Sequence, residues 1–186
     1  MQALDSYLKA GGNLSGYVGR SPLIMCATEW HSYEVVRELI ELDVDLDAPK
    51  ETSWWFPFAF HPDADTTALQ TAVLNDNFEI AELLFRNGAD ANYTKDPGTY
   101  SSPFNLALGS GQREILELFL EAGSENYTLE EEVISVAIGG RIEVFRVLLK
   151  IDMVDEEVYE RALETAKRRK HADIVNLLKS EGIGID

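Results

Sequence analysis

An internal repeat constrains this chain more than any other feature. Three stretches align: Ser21-Pro22-Leu23, Thr67-Ala68-Leu69 and Ser102-Pro103-Phe104. Each opens an apolar segment with a small residue further on, at Cys26, Ala72 and Ala107. Each is followed by an acidic residue and an apolar run: Glu34-Val35-Val36, Glu79-Ile80-Ala81 and Glu114-Ile115-Leu116. Large apolar pairs close the units, at Leu39-Ile40, Leu84-Phe85 and Phe119-Leu120. Two weaker copies run from Glu143-Val144-Phe145 to Leu148-Leu149 and from Asp173-Ile174-Val175 to Leu177-Leu178. A period of this size means stacked supersecondary units, since one unit alone cannot bury its apolar face.

The chemistry of one unit predicts a helix pair. Ser or Thr caps a first helix by accepting a backbone N–H, and Pro at the next position has no N–H to leave unpaired. The small residue lets that helix approach its neighbour. The acidic residue sits near the start of the second helix, where the dipole favours negative charge. Gly88 and Gly123 follow second helices, where a left-handed residue commonly ends them.

Thr67-Ala68-Leu69-Gln70-Thr71-Ala72, then Glu79-Ile80-Ala81-Glu82-Leu83-Leu84, then Asn87-Gly88-Ala89-Asp90-Ala91-Asn92, resembles a near-complete ankyrin repeat. Ser102 to Tyr127 resembles another. Ser21 to Asp47 resembles a third, with one extra residue at the helix-helix turn near Trp30-His31. Tyr7 to Leu14 resembles the second half of a repeat. The resemblance implies an all-α ankyrin-repeat solenoid of about five stacked helix pairs forming one domain, 1–186. Its expected parts are a cap at 1–20, clear repeats at 21–47, 67–92 and 102–127, an insertion at 48–66, and two degenerate or capping repeats over 128–186. Arg161 to Asp186 would be the closing unit.

The family's first-helix histidine is missing: Ile24, Gln70 and Asn105 stand there. Spacing also wanders, from 45 residues between Glu34 and Glu79 to 35, 29 and 30 in the later units, against a family period of ~33. Thr128, three before Glu131, is placed to cap the fourth unit as a capping box. The Trp, Gly and Tyr positions of tetratricopeptide repeats do not recur.

Hydrophobic residues make up 45% of the chain, enough to fold. Its net charge is −17, and from Met1 to Glu160 10 Lys and Arg face 29 Asp and Glu. Such a surface repels phosphate backbones and attracts a basic protein; the plainer alternative is that it keeps the chain soluble. No apolar run reaches membrane-spanning length, and Met1 to Arg20 do not read as a signal peptide. Cys26 is the single cysteine, so no intramolecular disulfide can form and a reducing, cytoplasmic location is expected; the free chain is expected to be a monomer.

The insertion Ala48 to Thr66 holds Trp54, Trp55, Phe56, Phe58 and Phe60, with Asp63 and Asp65 beyond. Exposed rings at this density either fold onto the stack or bind a partner. In ankyrin proteins the corresponding loops form fingers beside a partner-binding face. Tyr93, Tyr100 and Tyr127 fall in later loops and extend the candidate strip. Glu34, Glu38 and Glu41 read as a solvated helix face. The basic run Lys167-Arg168-Arg169-Lys170 reads as part of a polar cap.

A search for catalytic residues finds none. His31, His61 and His171 lie in different units and match no metal or triad spacing. Cys26 reads as a buried, inert thiol. No phosphate loop is present, and no cofactor or metal is expected. The three Asn-x-Ser/Thr sequences, at Asn13, Asn92 and Asn126, coincide with repeat turns and are read as turn chemistry. The expectation is a non-enzymatic protein-binding module, in its narrower form an immunity or inhibitor protein that neutralises a basic toxin or nuclease. The alternatives are a general adaptor or assembly factor, and an enzyme built from scattered His, Asp and Glu.

Overall fold

The computed structural model describes residues 9, 11–12, 17–19, 21–50, 66–94, 102–121, 129–150 and 154–184. Among them, ten helices follow one another in pairs: α1 (Leu23–Glu29) and α2 (Tyr33–Glu41), α3 (Ala68–Leu74) and α4 (Phe78–Arg86), α5 (Pro103–Ser110) and α6 (Arg113–Glu121), α7 (Leu129–Gly139) and α8 (Ile142–Leu149), α9 (Glu156–Arg169) and α10 (Ala172–Ser180). A two-residue ladder precedes them, with β1 (Tyr17–Val18) antiparallel to β2 (Ser21–Pro22). The chain divides into two compact units, Met1–Leu106 and Ala107–Asp186, the division falling within α5. In the first unit α1 packs on α3 and α2 on α4; in the second α7 packs on α9, while α6, α8 and α10 pack in succession. The architecture is all-α, as the repeat predicts.

Each helix pair turns on one left-handed residue: His31, Asp76, Gly111, Gly140 and Lys170, all at positive φ. Two or three residues make each turn, so the chain reverses tightly and the two helices of a pair lie side by side. The amide of the residue after the left-handed one bonds back into the first helix, from Ser32 to Ala27 O, Asn77 to Ala72 O and Gln112 to Ala107 O. Equivalent bonds run from Arg141 to Val136 O and from His171 to Ala166 O. These bonds set the register of all five copies. Ala27, Ala72, Ala107, Val136 and Ala166 occupy one position, none more than 1% exposed.

That register corrects the reading of the first repeat. Pro22, not Ser21, stands at the helix N-cap, and Ser21 lies in β2 without capping α1. The small residue against the neighbouring helix is therefore Ala27, and Cys26 matches Thr71 instead. No extra residue sits at the Trp30-His31 turn; the extra residue precedes the helix. The other two caps follow expectation. Thr67 Oγ1 accepts the Gln70 N–H at 3.3 Å while Gln70 Oε1 accepts the Thr67 N–H at 2.7 Å. Ser102 Oγ accepts the Asn105 N–H at 3.2 Å. Gln70 thus completes a capping box at the position where the family's histidine is absent. Thr128 and Gly123 lie outside the described residues.

The acidic positions are as predicted: Glu34, Glu79, Glu114, Glu143 and Asp173 each lie in the first turn of a second helix. Leu39, Leu84, Phe119, Leu148 and Leu178 are fully buried at one matching position. In the fifth copy the apolar pair is offset by one, so Lys179 takes the second place and is exposed. The first helix of that copy also begins at Glu156, ahead of Arg161. The added turns bring Tyr159 onto α8, where its hydroxyl donates to Leu148 O at 3.1 Å and its ring lies 6.3 Å from Phe145.

Candidate partner-binding surface

The loop edge of the first unit is built on aspartates. Asp45 Oδ1 accepts the Asp47 N–H at 3.1 Å, and the Asp47 carboxylate accepts the Asp90 N–H at 3.0 and 3.2 Å. Asp90 Oδ1 accepts the Asn92 N–H at 2.8 Å, and Tyr93 N–H donates to Asp90 O at 3.2 Å. Short Asx side chains close these turns because they bond their own backbone two residues on. Asp47 therefore joins the end of the first repeat to the end of the second. Burial pushes its carboxyl above the ordinary range; the Asp90 N–H opposes this, and the charges of Asp90 and Asp45 add to it.

The insertion leaves from and returns to one point. The Lys50 N–H donates to Thr66 O at 2.9 Å, so the residues flanking 51–65 are paired. The intervening stretch is not needed to span between repeats. Trp54, Trp55, Phe56, Phe58, Phe60, Asp63 and Asp65 lie outside the described residues, as do His61, Tyr100 and Tyr127. Of the predicted strip, Tyr93 is described: it is half-buried in the turn that Asp90 closes.

The remaining candidates have structural partners. Asn77 Nδ2 donates to His31 Nδ1 at 3.0 Å, and His171 Nε2 donates to Ile138 O at 3.1 Å. Arg141 Nη1 donates to Leu108 O at 3.2 Å. Asn77, Arg141 and His171 hold the same position, the residue before a second helix, and each reaches back to the preceding repeat. The two described histidines are thus parts of repeat-to-repeat stitching. Burial raises the Cys26 thiol, with the Glu29 charge adding to it, so the thiolate nucleophile is disfavoured. Glu34 and Glu41 both pair with Arg37 on an exposed face. Lys167, Arg168 and Arg169 fill the last turn of α9, where cations complement the dipole. Among the described residues no group of His, Cys, Asp and Glu is arranged to hold a metal, and no helix is long and apolar enough to cross a membrane.

Sequence reasoning missed a second surface. Trp30 is 66% exposed, Leu74 51%, Tyr33 40% and Phe78 37%. All four flank the helix-helix turns of the first two repeats. Alignment of the turns carries the signal: at the places of Trp30 and Tyr33 the third has Ser110 and Arg113 and the fifth Arg169 and Ala172, while the fourth keeps an exposed Ile138 at the place of Leu74.

The profile of the family described as Ankyrin repeat matches residues 65–96. Over 134 residues, 70% of this chain, it is 27% identical to the ankyrin repeat and KH domain-containing protein mask-1 of Caenorhabditis elegans, spanning 5% of that protein. The crystal structure of the human ASB11 ankyrin repeat domain is similar at a TM-score of 0.68 and 17% identity, covering 100% of this chain and 79% of that one. The ankyrin repeat protein EF0377 is similar at 0.59 and 18%, covering 88% of this chain and 98% of its own. Ankyrin repeats mediate protein–protein interaction. The chain carries an ankyrin repeat at 65–96 and has the fold of ankyrin-repeat proteins.

Proposed function

We propose that this chain is a non-catalytic protein-binding module that takes a basic partner through the aromatic insertion 48–66 and the adjoining loops. The observation that carries the reading is the Lys50–Thr66 pairing. Five large rings lie in a stretch whose flanks already meet, so the helix stack has no need of them as a connection. Rings of this kind are the commonest interface anchors. The partner is basic because the first unit holds 6 Lys and Arg against 16 Asp and Glu, and opposite charge steers encounter. The narrower form is an inhibitor that neutralises a basic toxin or nuclease in the cytoplasm, with the free chain monomeric.

The test is capture from the source cells with the wild-type chain and with a Trp54→Ala/Trp55→Ala double variant, read by mass spectrometry. The expected result is one dominant basic protein, lost with the double variant while circular dichroism is unchanged. Capture of the same protein by both chains overturns the insertion as the site. If the captured protein is an enzyme, stoichiometric addition of this chain should abolish its activity; full activity in the complex leaves an adaptor and ends the inhibitor reading.

A further inference from the structure

The helix-turn edge of the first two repeats exposes Trp30, Tyr33, Leu74 and Phe78. The turn does not require them. Five copies make the same left-handed reversal, and the third and fifth make it with Ser110 and Arg113, and with Arg169 and Ala172. Large apolar groups in this number, held in water without a structural need, mark an interaction surface.

Charge identifies the occupant. Asp76 and Glu79 lie on the same edge, exposed, and have no ion-pair partner among the described residues. The nearby cations are engaged: Arg37 with Glu34 at 2.7 Å, Lys50 with Glu29 at 3.7 Å and Arg86 with Glu82 at 2.9 Å. Tyr33 and Glu79 also line an open groove of about 490 Å³ that continues along α4 past Glu82, Leu83 and Arg86 to Asn87. The edge therefore offers rings and aliphatic surface beside free carboxylates. A lysine or arginine side chain fits both, its stem on the apolar surface and its head at the carboxylate; a guanidinium also stacks on Tyr and Trp faces.

We infer that this edge is a second docking surface, for a basic amphipathic segment of a protein partner. Its residues are not part of the insertion, and it stands whether or not the insertion binds.

The experiment uses the full chain and a fluorescent peptide of alternating leucine and lysine blocks that forms an amphipathic helix, with a leucine–glutamate peptide as control. Anisotropy titrations at low salt compare wild type, Trp30→Ser/Phe78→Ser, Asp76→Asn/Glu79→Gln and Trp54→Ala/Trp55→Ala. The expected result is binding of the lysine peptide alone, weakened at least tenfold by each of the first two variants. Thermal unfolding checks that each variant folds. Wild-type affinity in the Trp30/Phe78 variant overturns the proposal. So does loss confined to Trp54→Ala/Trp55→Ala, which assigns the peptide to the insertion. Sedimentation that shows a wild-type dimer dispersed by Trp30→Ser/Phe78→Ser also overturns it, since a second copy is then the occupant.

Discussion

The first two repeats and the last two are built from one helix pair but use their residues differently. In the former, the first helices α1 and α3 are short, Leu23–Glu29 and Ala68–Leu74, and after α2 ends at Glu41 the next helix starts only at Ala68. In the latter, the first helices α7 and α9 are longer, Leu129–Gly139 and Glu156–Arg169, and after α8 ends at Leu149 the next helix already starts at Glu156. Where the connection is long, a side-chain cap or a proline stops the helix; where it is short, helix replaces loop, and Tyr159 anchors the added turns. Loops on a rigid scaffold carry function because their backbone is free of packing duties. The early repeats expose Trp30, Tyr33 and Phe78 at their turns, and the late repeats hold longer first helices and the basic last turn of α9. The proposed binding residues fall in the early repeats, and the longest helices fall in the late ones.

That contrast breaks first at Gly140. A Cβ there would lie 2.5 Å from the His171 ring, at a backbone φ of +70. Gly140→Ala should therefore cost about 2–3 kcal/mol, measured by urea unfolding, and should leave binding by the first unit intact at temperatures where the chain is folded. An effect below 0.5 kcal/mol, roughly the scatter of a surface change, would mean that the His171–Ile138 stitch is not what holds the fourth and fifth repeats together. Ala107→Leu comes next. Its site is fully buried, and overpacking there should cost roughly 1–3 kcal/mol; no loss would contradict the register.

Caps sharpen the comparison within the early repeats. Thr67→Ala removes half of a capping box and should cost about 1 kcal/mol. Ser21→Ala removes no cap and should cost less than about 0.5 kcal/mol. Equal losses would restore Ser21 as the N-cap. The smallest effects concern half-buried carboxyls, one in each unit. Burial raises both Asp47 and Glu132, and Glu132 Oε2 has no hydrogen-bond partner among the described residues. A raised folded-state pKa gives stability that is fully present below the unfolded value and is lost as pH rises through the folded one. Asp47→Asn and Glu132→Gln should therefore stabilise the chain at neutral pH, by less than about 1 kcal/mol. The gain should shrink as pH falls toward the ordinary carboxylate range. A gain that persists in acid would rule out the charge as its cause.

Periodic features were legible in the sequence. The acidic residue of each second helix and the small residues Ala72 and Ala107 recur at fixed offsets because every copy solves the same packing problem. The first repeat misled by one residue because Ser21-Pro22 has the composition of a cap and Cys26 is nearly as small as Ala27. Nothing local separates those registers; the turn bond from Ser32 to Ala27 does. The left-handed turns were illegible at His31, Asp76 and Lys170, since glycine is the residue that usually announces them. Of the site, the aromatic insertion stood out by composition, whereas the helix-turn edge did not. Trp30 and Tyr33, like Leu74 and Phe78, are ordinary residues for a helix terminus until the five turns are compared.

The central claim is that the first unit takes a basic protein, with rings anchoring and carboxylates steering. Stopped-flow kinetics with the captured partner across a salt series test it directly. Raising the salt should slow association at least tenfold with little change in dissociation, because steering is screened beyond a Debye length. Trp54→Ala or Trp55→Ala should speed dissociation by roughly thirtyfold, about 2 kcal/mol for a hot-spot ring, with association nearly unchanged. Association indifferent to salt, together with wild-type dissociation in both tryptophan variants, would contradict the account.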